Sequence, residues 1–245
     1  MNILILDETA STNSYVAEHE DHLTAPVMVA ARRQYAGRGQ RGNSWESEPG
    51  KNLTASVLLR PDRVLPRQQF AISEAIALAV VATLAQYGIE ARVKWPNDIY
   101  VADGKICGIL IEHSLMGHQI RRTIAGFGLN INQTEFISDA PNPISMSRIT
   151  GVAYDAEEVA RRTGENIERY LPLLPSEEGR GRLHELYMAT LWRGEGEWPF
   201  LDNKTGETLS ASIHGIAPDG TLTLKTHDGE LRPYAFKEVS FLPIH

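Results

Sequence analysis

Apolar and polar positions divide the chain into short elements. Ile3–Leu6 is an apolar run that predicts a strand, closed by Asp7 and Glu8. Ser11-Thr12-Asn13 then supplies three N-cap residue types ahead of a helix over Ser14–Glu18. Val27–Ala31 and Leu53–Leu59 read as buried strands on either side of a polar, Gly-rich loop that runs to Gly50. Gln69–Tyr87 is Ala-rich, full of good helix formers, and ends at Gly88, the residue expected at a helix C-cap. Arg92–Trp95, Ile99–Val101, Ile106–Glu112 and Gln119–Asn132 follow as strands. Asp103-Gly104 and Met116-Gly117-His118 mark hairpin turns between them. Gln133–Ser147 reads as a polar loop. Asp155–Leu171 and Arg182–Trp192 read as helices, separated by Pro172 and Pro175.

The texture changes after Trp192. Gly194-Glu195-Gly196-Glu197 has linker composition, and Thr205-Gly206, Asp219-Gly220 and Asp228-Gly229 then punctuate short strands at regular spacing, as a small β-barrel requires. The expected organisation is a main domain over 1–192 and a small β-domain over 193–245. The fold class is α+β, because hairpins replace strict βαβ alternation and make a Rossmann sheet the wrong description.

With 24 basic and 31 acidic residues the net charge is −7, so the chain as a whole is no nucleic-acid-binding polycation. A single cysteine, Cys107, excludes an intramolecular disulfide framework and fits a reducing compartment. The longest apolar stretch, Ala75–Ala85, is too short to span a membrane. No cationic lead precedes the first apolar run, so it is not a signal peptide. A cytoplasmic globular protein with no membrane partner is expected.

Against this acidic background, residues 32–45 hold four arginines within ten positions (Arg32, Arg33, Arg38, Arg41), with Gly37, Gly39 and Gly42 between them. Arginine's planar fork suits phosphate and carboxylate oxygens, and the glycines let the backbone approach a ligand. The segment is an anion-binding loop or, more simply, a solvated surface loop. In Lys94-Trp95-Pro96-Asn97-Asp98 an ammonium, an amide and a carboxylate gather at one strand end, suited to phosphates and a metal-bound nucleotide or to a plain surface ion pair. In Gly104–Glu112, alternation puts Lys105, Cys107, Ile109 and Ile111 on one face, and Ile106, Gly108, Leu110 and Glu112 on the other. Cys107 reads as a small buried hydrophobe. In Gly126–Asn132, Phe127, Leu129 and Ile131 face one way; Gly126, Gly128, Asn130 and Asn132 leave room on the other for a flat polar ligand.

Together, Gly-Arg-Gly-Gln-Arg-Gly-x-x-Trp, Lys-Trp-Pro-Asn-Asp, Lys-x-x-Gly-Ile-Leu-x-Glu and Gly-x-Gly-x-Asn, preceded by Ser-Thr-Asn, resemble biotin protein ligase in order and spacing over roughly residues 5–245. The resemblance implies a catalytic domain akin to class II aminoacyl-tRNA synthetases, with a mixed, largely antiparallel sheet, and a C-terminal SH3-like β-barrel. It implies activation of biotin by ATP and Mg²⁺ to biotinyl-5′-AMP, then transfer to one lysine of a biotin carboxyl carrier domain. Ser11, Thr12, Asn13 and Gln34 would line the biotin site, with Gly108 and Gly126 beside them. Gly37, Arg38, Gly39 and Gln40 would form the loop that closes over biotin and the adenylate. Lys105 would contact the biotin carboxylate and the forming acyl phosphate. Lys94, Asn97, Asp98 and Arg41 would handle the ATP phosphates and their metal, and Trp45 and Asn130 would shape the adenine pocket. Arg38, Lys94, Asp98 and Lys105 are the expected catalytic set. No metal site of the protein's own is expected, Mg²⁺ arriving with ATP.

Two departures qualify the likeness. Gln40 and Asn43 stand where many members carry basic residues, so the loop holds less positive charge. Bifunctional members also carry a winged helix-turn-helix ahead of the Ser-Thr-Asn site; here ten residues precede it, so a monofunctional ligase with no nucleic-acid partner is expected. The resemblance leaves room for a homodimer. The rival functions are a lipoate or octanoyl protein ligase, which shares the catalytic fold, and a non-catalytic biotin or nucleotide sensor.

Overall fold

The structure is a computed structural model that describes residues 1–40, 44–137 and 142–243. Seven strands, β1 (Asn2–Thr9), β2 (Val27–Gln34), β3 (Leu53–Leu59), β4 (Arg92–Lys94), β5 (Asp98–Val101), β6 (Gly104–Met116) and β7 (Gln119–Leu129), form one sheet in the order β1-β2-β3-β7-β6-β5-β4. Only β1 and β2 pair in parallel, and α1 (Thr12–His19) is the crossover that parallel pairing demands; the other neighbours are antiparallel. The class is α+β, with the mixed sheet of a class II synthetase-like catalytic domain.

Strand alternation sorts the two faces of this sheet. Leu53, Ala55, Val57, Ala125, Phe127 and Leu129 enter the large core under the helical layer of α2 (Phe70–Ala85), α4 (Ala156–Tyr170) and α5 (Glu177–Ala189). Val27, Val29, Leu58 and Ile124 point the other way and pack with Val16 of α1 in a second, smaller cluster. Helix α2 is apolar all round and therefore central, with Ile72, Ile76, Ala79, Val80 and Leu84 fully buried. Counted from Pro66, it is long and apolar enough to cross a bilayer, but two thirds of that stretch lies inside the fold, as a core helix does. Helix α4 is instead amphipathic. Asp155 caps it by accepting from the Glu157 amide at 2.9 Å, and Glu157 and Glu158 sit at its positive end.

Two helical expectations need correction. Helix α5 starts at Glu177 rather than Arg182, because Ser176 caps it by accepting from the Gly179 amide. Gly179 is required there, since a Cβ would come within 2.2 Å of the Leu173 carbonyl oxygen. The loop before α4 contains a further short helix, α3 (Met146–Thr150), capped by Ser145 and stopped by Gly151 at φ 75°.

Five further antiparallel strands, β8 (Trp198–Asp202), β9 (Thr208–Ile216), β10 (Leu222–Thr226), β11 (Leu231–Tyr234) and β12 (Val239–Phe241), form a second sheet in the order β11-β10-β9-β8-β12, the SH3-like unit. It is not isolated from the first. Trp95 Nε1 donates to the Gly220 carbonyl at 3.0 Å, and the Phe236 ring meets Trp95 and Phe70 at centroid distances of 5.4 and 6.4 Å. One apolar cluster runs through both sheets.

Candidate active site

A cavity of about 1230 Å³ opens on the α1 face of the large sheet and extends beneath the second sheet. Its floor is an ordered chain of buried polar groups. The Thr12 amide donates to Gln34 Oε1 at 2.9 Å, and Ser56 Oγ lies 2.7 Å from Thr12 Oγ1 and 2.5 Å from Asn13 Oδ1. Asn13 Nδ2 in turn donates to Glu112 Oε2 at 2.7 Å. Ser11, Thr12, Asn13 and Ser56 are all at most 4% exposed. Buried dipoles satisfied by one another hold fixed orientations, as recognition of a neutral polar ring system needs.

The glycines of β6 and β7 serve this chain's own side chains. A Cβ on Gly126 would fall 2.0 Å from Asn13 Oδ1, and one on Gly128 would fall 2.2 Å from the Trp45 indole. Trp45 therefore lies flush against Gly128, on the face where room for a flat polar ligand is expected. Its Nε1 is buried with no hydrogen-bond partner among the described residues, as is Asn130 Oδ1; Asn130 Nδ2 donates to the Ile144 carbonyl at 3.1 Å.

Lys105 departs from simple alternation. The register between β5 and β6 shifts at Ile99/Tyr100, so Ile99 opposes Cys107 while Tyr100 opposes Lys105. This bulge sends both Ile106 and Cys107 into the core and turns Lys105 onto the face of Gly108, where Lys105 Nζ would lie 3.4 Å from a Cβ. Lys105 Nζ pairs with Asp98 Oδ1 at 2.7 Å, with both side chains about one fifth exposed. Full burial pushes the Cys107 thiol up, so it stays protonated and inert.

The turn at Lys94–Asp98 also differs in detail from expectation. Lys94 Nζ donates to the Tyr100 hydroxyl at 3.0 Å and sits 4.5, 5.2 and 5.6 Å from the rings of Tyr100, Trp192 and Phe241. Burial lowers the Lys94 pKa from its ordinary value; the Asp98 carboxylate opposes that shift. Asn97 Nδ2 donates to the Ile109 carbonyl at 2.6 Å and fixes the turn against β6.

The arginine loop crosses the rim. Arg38 forms a two-pronged pair with Glu112, Nη2 to Oε2 at 2.8 Å and Nη1 to Oε1 at 3.3 Å, linking the loop to Asn13 through one carboxylate. Gly39 and Gln40 line the cavity. Gly37 instead closes the loop base, its carbonyl accepting from the Trp45 amide at 3.0 Å; a Cβ there would meet the Trp45 carbonyl oxygen at 2.5 Å. Arg41 and Asn43 lie outside the described residues.

Sequence reasoning gave no role to Ser56 or Glu112 and missed the wall that the second sheet supplies. A serine inside the apolar run Leu53–Leu59, and a carboxylate two steps beyond Leu110 on the face of Gly108, were the available signals. For the second sheet's Asn203, Lys237, Ser240 and Phe241, which line the cavity, the sequence carried none. Among the described residues, no group of three His, Cys, Asp or Glu is placed to hold a metal ion.

Comparison with known proteins follows the same lines. The biotin/lipoate A/B protein ligase family matches residues 6–130. The chain is 30% identical to the bifunctional ligase/repressor BirA of Bacillus spizizenii over 246 residues, covering 95% of this chain and 72% of that protein. It is 35% identical over 161 residues to a biotin–[acetyl-CoA-carboxylase] ligase of Paracoccus denitrificans, covering 63% of this chain and 66% of that one. In fold it is similar to a biotin protein ligase from Aquifex aeolicus solved in complex with biotin and ATP. The TM-score is 0.79 with 24% identity, over 98% of this chain and 97% of the other.

Proposed function

The chain belongs to the biotin/lipoate A/B protein ligase family, and from that premise we infer that it is an ATP-dependent biotin–protein ligase. It activates biotin to biotinyl-5′-AMP and transfers the biotinyl group to a carrier-protein lysine. The observation that carries this reading is one cavity in which a buried neutral floor adjoins an ion-paired lysine.

In the first step a biotin carboxylate oxygen attacks the α-phosphorus of ATP. The bond from that phosphorus to the bridging oxygen breaks, and its electron pair leaves with pyrophosphate. Two anions must approach, so the site must offset their charge and stabilise the charge that develops. Thr12, Asn13 and Gln34 bind the polar ring of biotin through dipoles fixed from behind by Ser56. Lys105 contacts the carboxylate and the forming acyl phosphate, exchanging its partner Asp98 for substrate oxygens. Trp45 and Asn130 shape the adenine pocket, their unpartnered polar atoms available to the base. Arg38, Gly39 and Gln40 close over the adenylate, Arg38 giving up Glu112 for phosphate. In the second step the carrier lysine's amine attacks the acyl carbon, the bond to the phosphate oxygen breaks, AMP leaves and the amine loses a proton.

Mg²⁺ fits as an ion carried in by ATP. Asp98 is the carboxylate at the phosphate end, and a hard cation that retains most of its waters asks for one or two such ligands. When bound, Mg²⁺ offsets charge on the departing phosphates. The carrier is expected to be the biotin carboxyl carrier domain of a carboxylase.

The test is biotin-dependent exchange of pyrophosphate into ATP, with no carrier present, followed by mass spectrometry of a carrier domain incubated with ATP, Mg²⁺ and biotin. Exchange that runs equally well with lipoate would defeat the assignment.

A further inference from the structure

One carboxylate on the cavity wall plays no part in the chemistry above. Glu46 directly follows Trp45 and lines the same cavity. A negative charge on a wall that meets a polyanion opposes its ligand, so its place there asks for a use.

Its hydrogen bonds run to a segment about ninety residues further along the chain. The Ile137 amide donates to Glu46 Oε1 and Oε2 at 3.2 Å each, and Gln133 Nε2 donates to Oε1 at 2.9 Å. Gln133 is the hub behind this bridge. It is 2% exposed, and its Oε1 accepts from Asn52 Nδ2 at 2.6 Å and from the Glu48 amide at 3.0 Å. Its Nε2 also donates to the Glu135 carbonyl at 2.8 Å, so both polar ends of the buried amide are used in full. Asn52 Oδ1 accepts from the Ile131 amide at 2.9 Å, and the Asn132 amide donates to the Lys51 carbonyl at 2.8 Å. Residues 46–52 and 131–137 are thereby stitched together along their length.

Two rings that line the cavity depend on this stitching. Phe136 is gripped on both sides, at the Glu135 carbonyl by Gln133 and at the Ile137 amide by Glu46. Trp45 is held by its amide, which donates to the Gly37 carbonyl, and by its contact with Gly128. Glu46 is covalently part of the Trp45 segment and bonded to the Phe136 segment, so it sets the spacing of the two rings. Resting on the ATP-dependent reading above, in which Trp45 shapes the adenine pocket, we propose that Glu46 is a positioning residue for the base. It places Trp45 and Phe136 so that both bear on the purine, and it takes no part in holding the triphosphate.

The experiment measures binding of ATP and of inorganic tripolyphosphate, which has the phosphates and no base, by calorimetry on the full chain. Pyrophosphate exchange supplies KM for ATP and for biotin alongside. Glu46→Ala weakens ATP about fivefold, as for loss of charge-assisted hydrogen bonds near solvent, and raises KM for ATP to match. It does not weaken tripolyphosphate, and KM for biotin stays unchanged. Glu46→Gln, which keeps an acceptor oxygen, restores ATP affinity to within about twofold of the wild type. In a Phe136→Ala background Glu46→Ala has less effect than in the wild type, because the bridge acts through that ring. Unchanged ATP affinity in Glu46→Ala overturns the proposal, and so does an equal loss of ATP and tripolyphosphate, the mark of a general loosening. If the wild type binds ATP but shows no biotin-dependent exchange, the ligase reading fails. The comparison of ATP with tripolyphosphate still decides the role of Glu46.

Discussion

The two ends of the cavity are built differently. The floor at Thr12, Asn13 and Gly126, backed by Ser56 and flanked by the half-buried Gln34, is uncharged and already hydrogen-bonded to itself. The rim and far wall at Arg38, Lys94, Lys105 and Lys237 are cationic, half-buried to exposed, and drawn from a glycine loop, a bulged strand and a second sheet. A neutral ring is recognised by dipoles that cannot rotate away, so the groups facing it gain from burial. Phosphates change charge and partners during the reaction, so the groups facing them gain from access and from partners they can exchange. Glu112 joins the two ends, accepting from both Asn13 and Arg38.

Substitution at each end should separate these roles. The largest effect belongs to Lys105→Ala, expected to lower the adenylation rate by ~10²-fold or more, as for a lost charge-stabilising donor, with little change in KM for biotin. Near-normal exchange rates would mean that the carboxylate lies elsewhere. Gly126→Ala attacks the floor. Asn13 cannot swing aside without breaking its contacts to Ser56 and Glu112, so KM for biotin should rise about tenfold while KM for ATP holds. Equal rises in both constants would erase the distinction between the two ends.

Arg38→Gly removes the exposed cation on the loop. Ordering a glycine-flanked segment costs entropy that only a bound anion offsets, so preformed biotinyl-AMP should dissociate severalfold faster. Gln40→Arg should slow its release by a smaller factor. Dissociation rates of labelled adenylate decide the matter, and an unchanged rate in Arg38→Gly removes the closing role of the loop.

The smallest effect concerns support behind the charged wall. His184 Nδ1 lies 2.8 Å from Glu74 Oε1, and Tyr187, one turn along α5, donates to the Pro96 carbonyl at 3.4 Å. The hydrogen bond to Glu74 raises the His184 pKa above its ordinary 6.5. A raised histidine contributes stability that is whole below 6.5 and is lost as pH climbs through the raised value. Burial raises the Glu74 pKa as well, which acts in the same direction. Between pH 6 and 8 the wild type should therefore lose roughly 1–3 °C of Tm that His184→Asn does not lose. KM for biotin should not follow that change. A flat Tm profile in the wild type would show that the pair carries no net proton linkage.

Much of this was legible in the chain. The alternation in Gly126–Asn130 fixed which residues face the helical core and which face the cavity, because a period of two leaves little choice once one face is apolar. Asn132, expected on the cavity side, instead exchanges hydrogen bonds with Tyr154 beyond the end of β7. Ser11–Asn13 and Lys94–Asp98 stood out because capping types and a Pro-Asn-Asp turn have local causes. The start of α5 was obscured by Gly179 and Gly181, whose low helix propensity hid the Ser176 cap.

What the sequence by itself determined is the set of local periods, turns and caps, and the residue types that could do the chemistry. The tertiary structure alone decided who fills the space those residues leave and what each charge touches. It set Asn13 and Trp45 over the two glycines of β7. It turned Lys105 into the cavity through a bulge that strict alternation denies. It put Lys94 among three rings, one of them from the second sheet, and brought Lys237 to the same cavity from 132 residues beyond Lys105. Local rules act over a few residues along the chain. Contacts across a cavity depend on how sheets pack, and no short stretch of sequence encodes that distance.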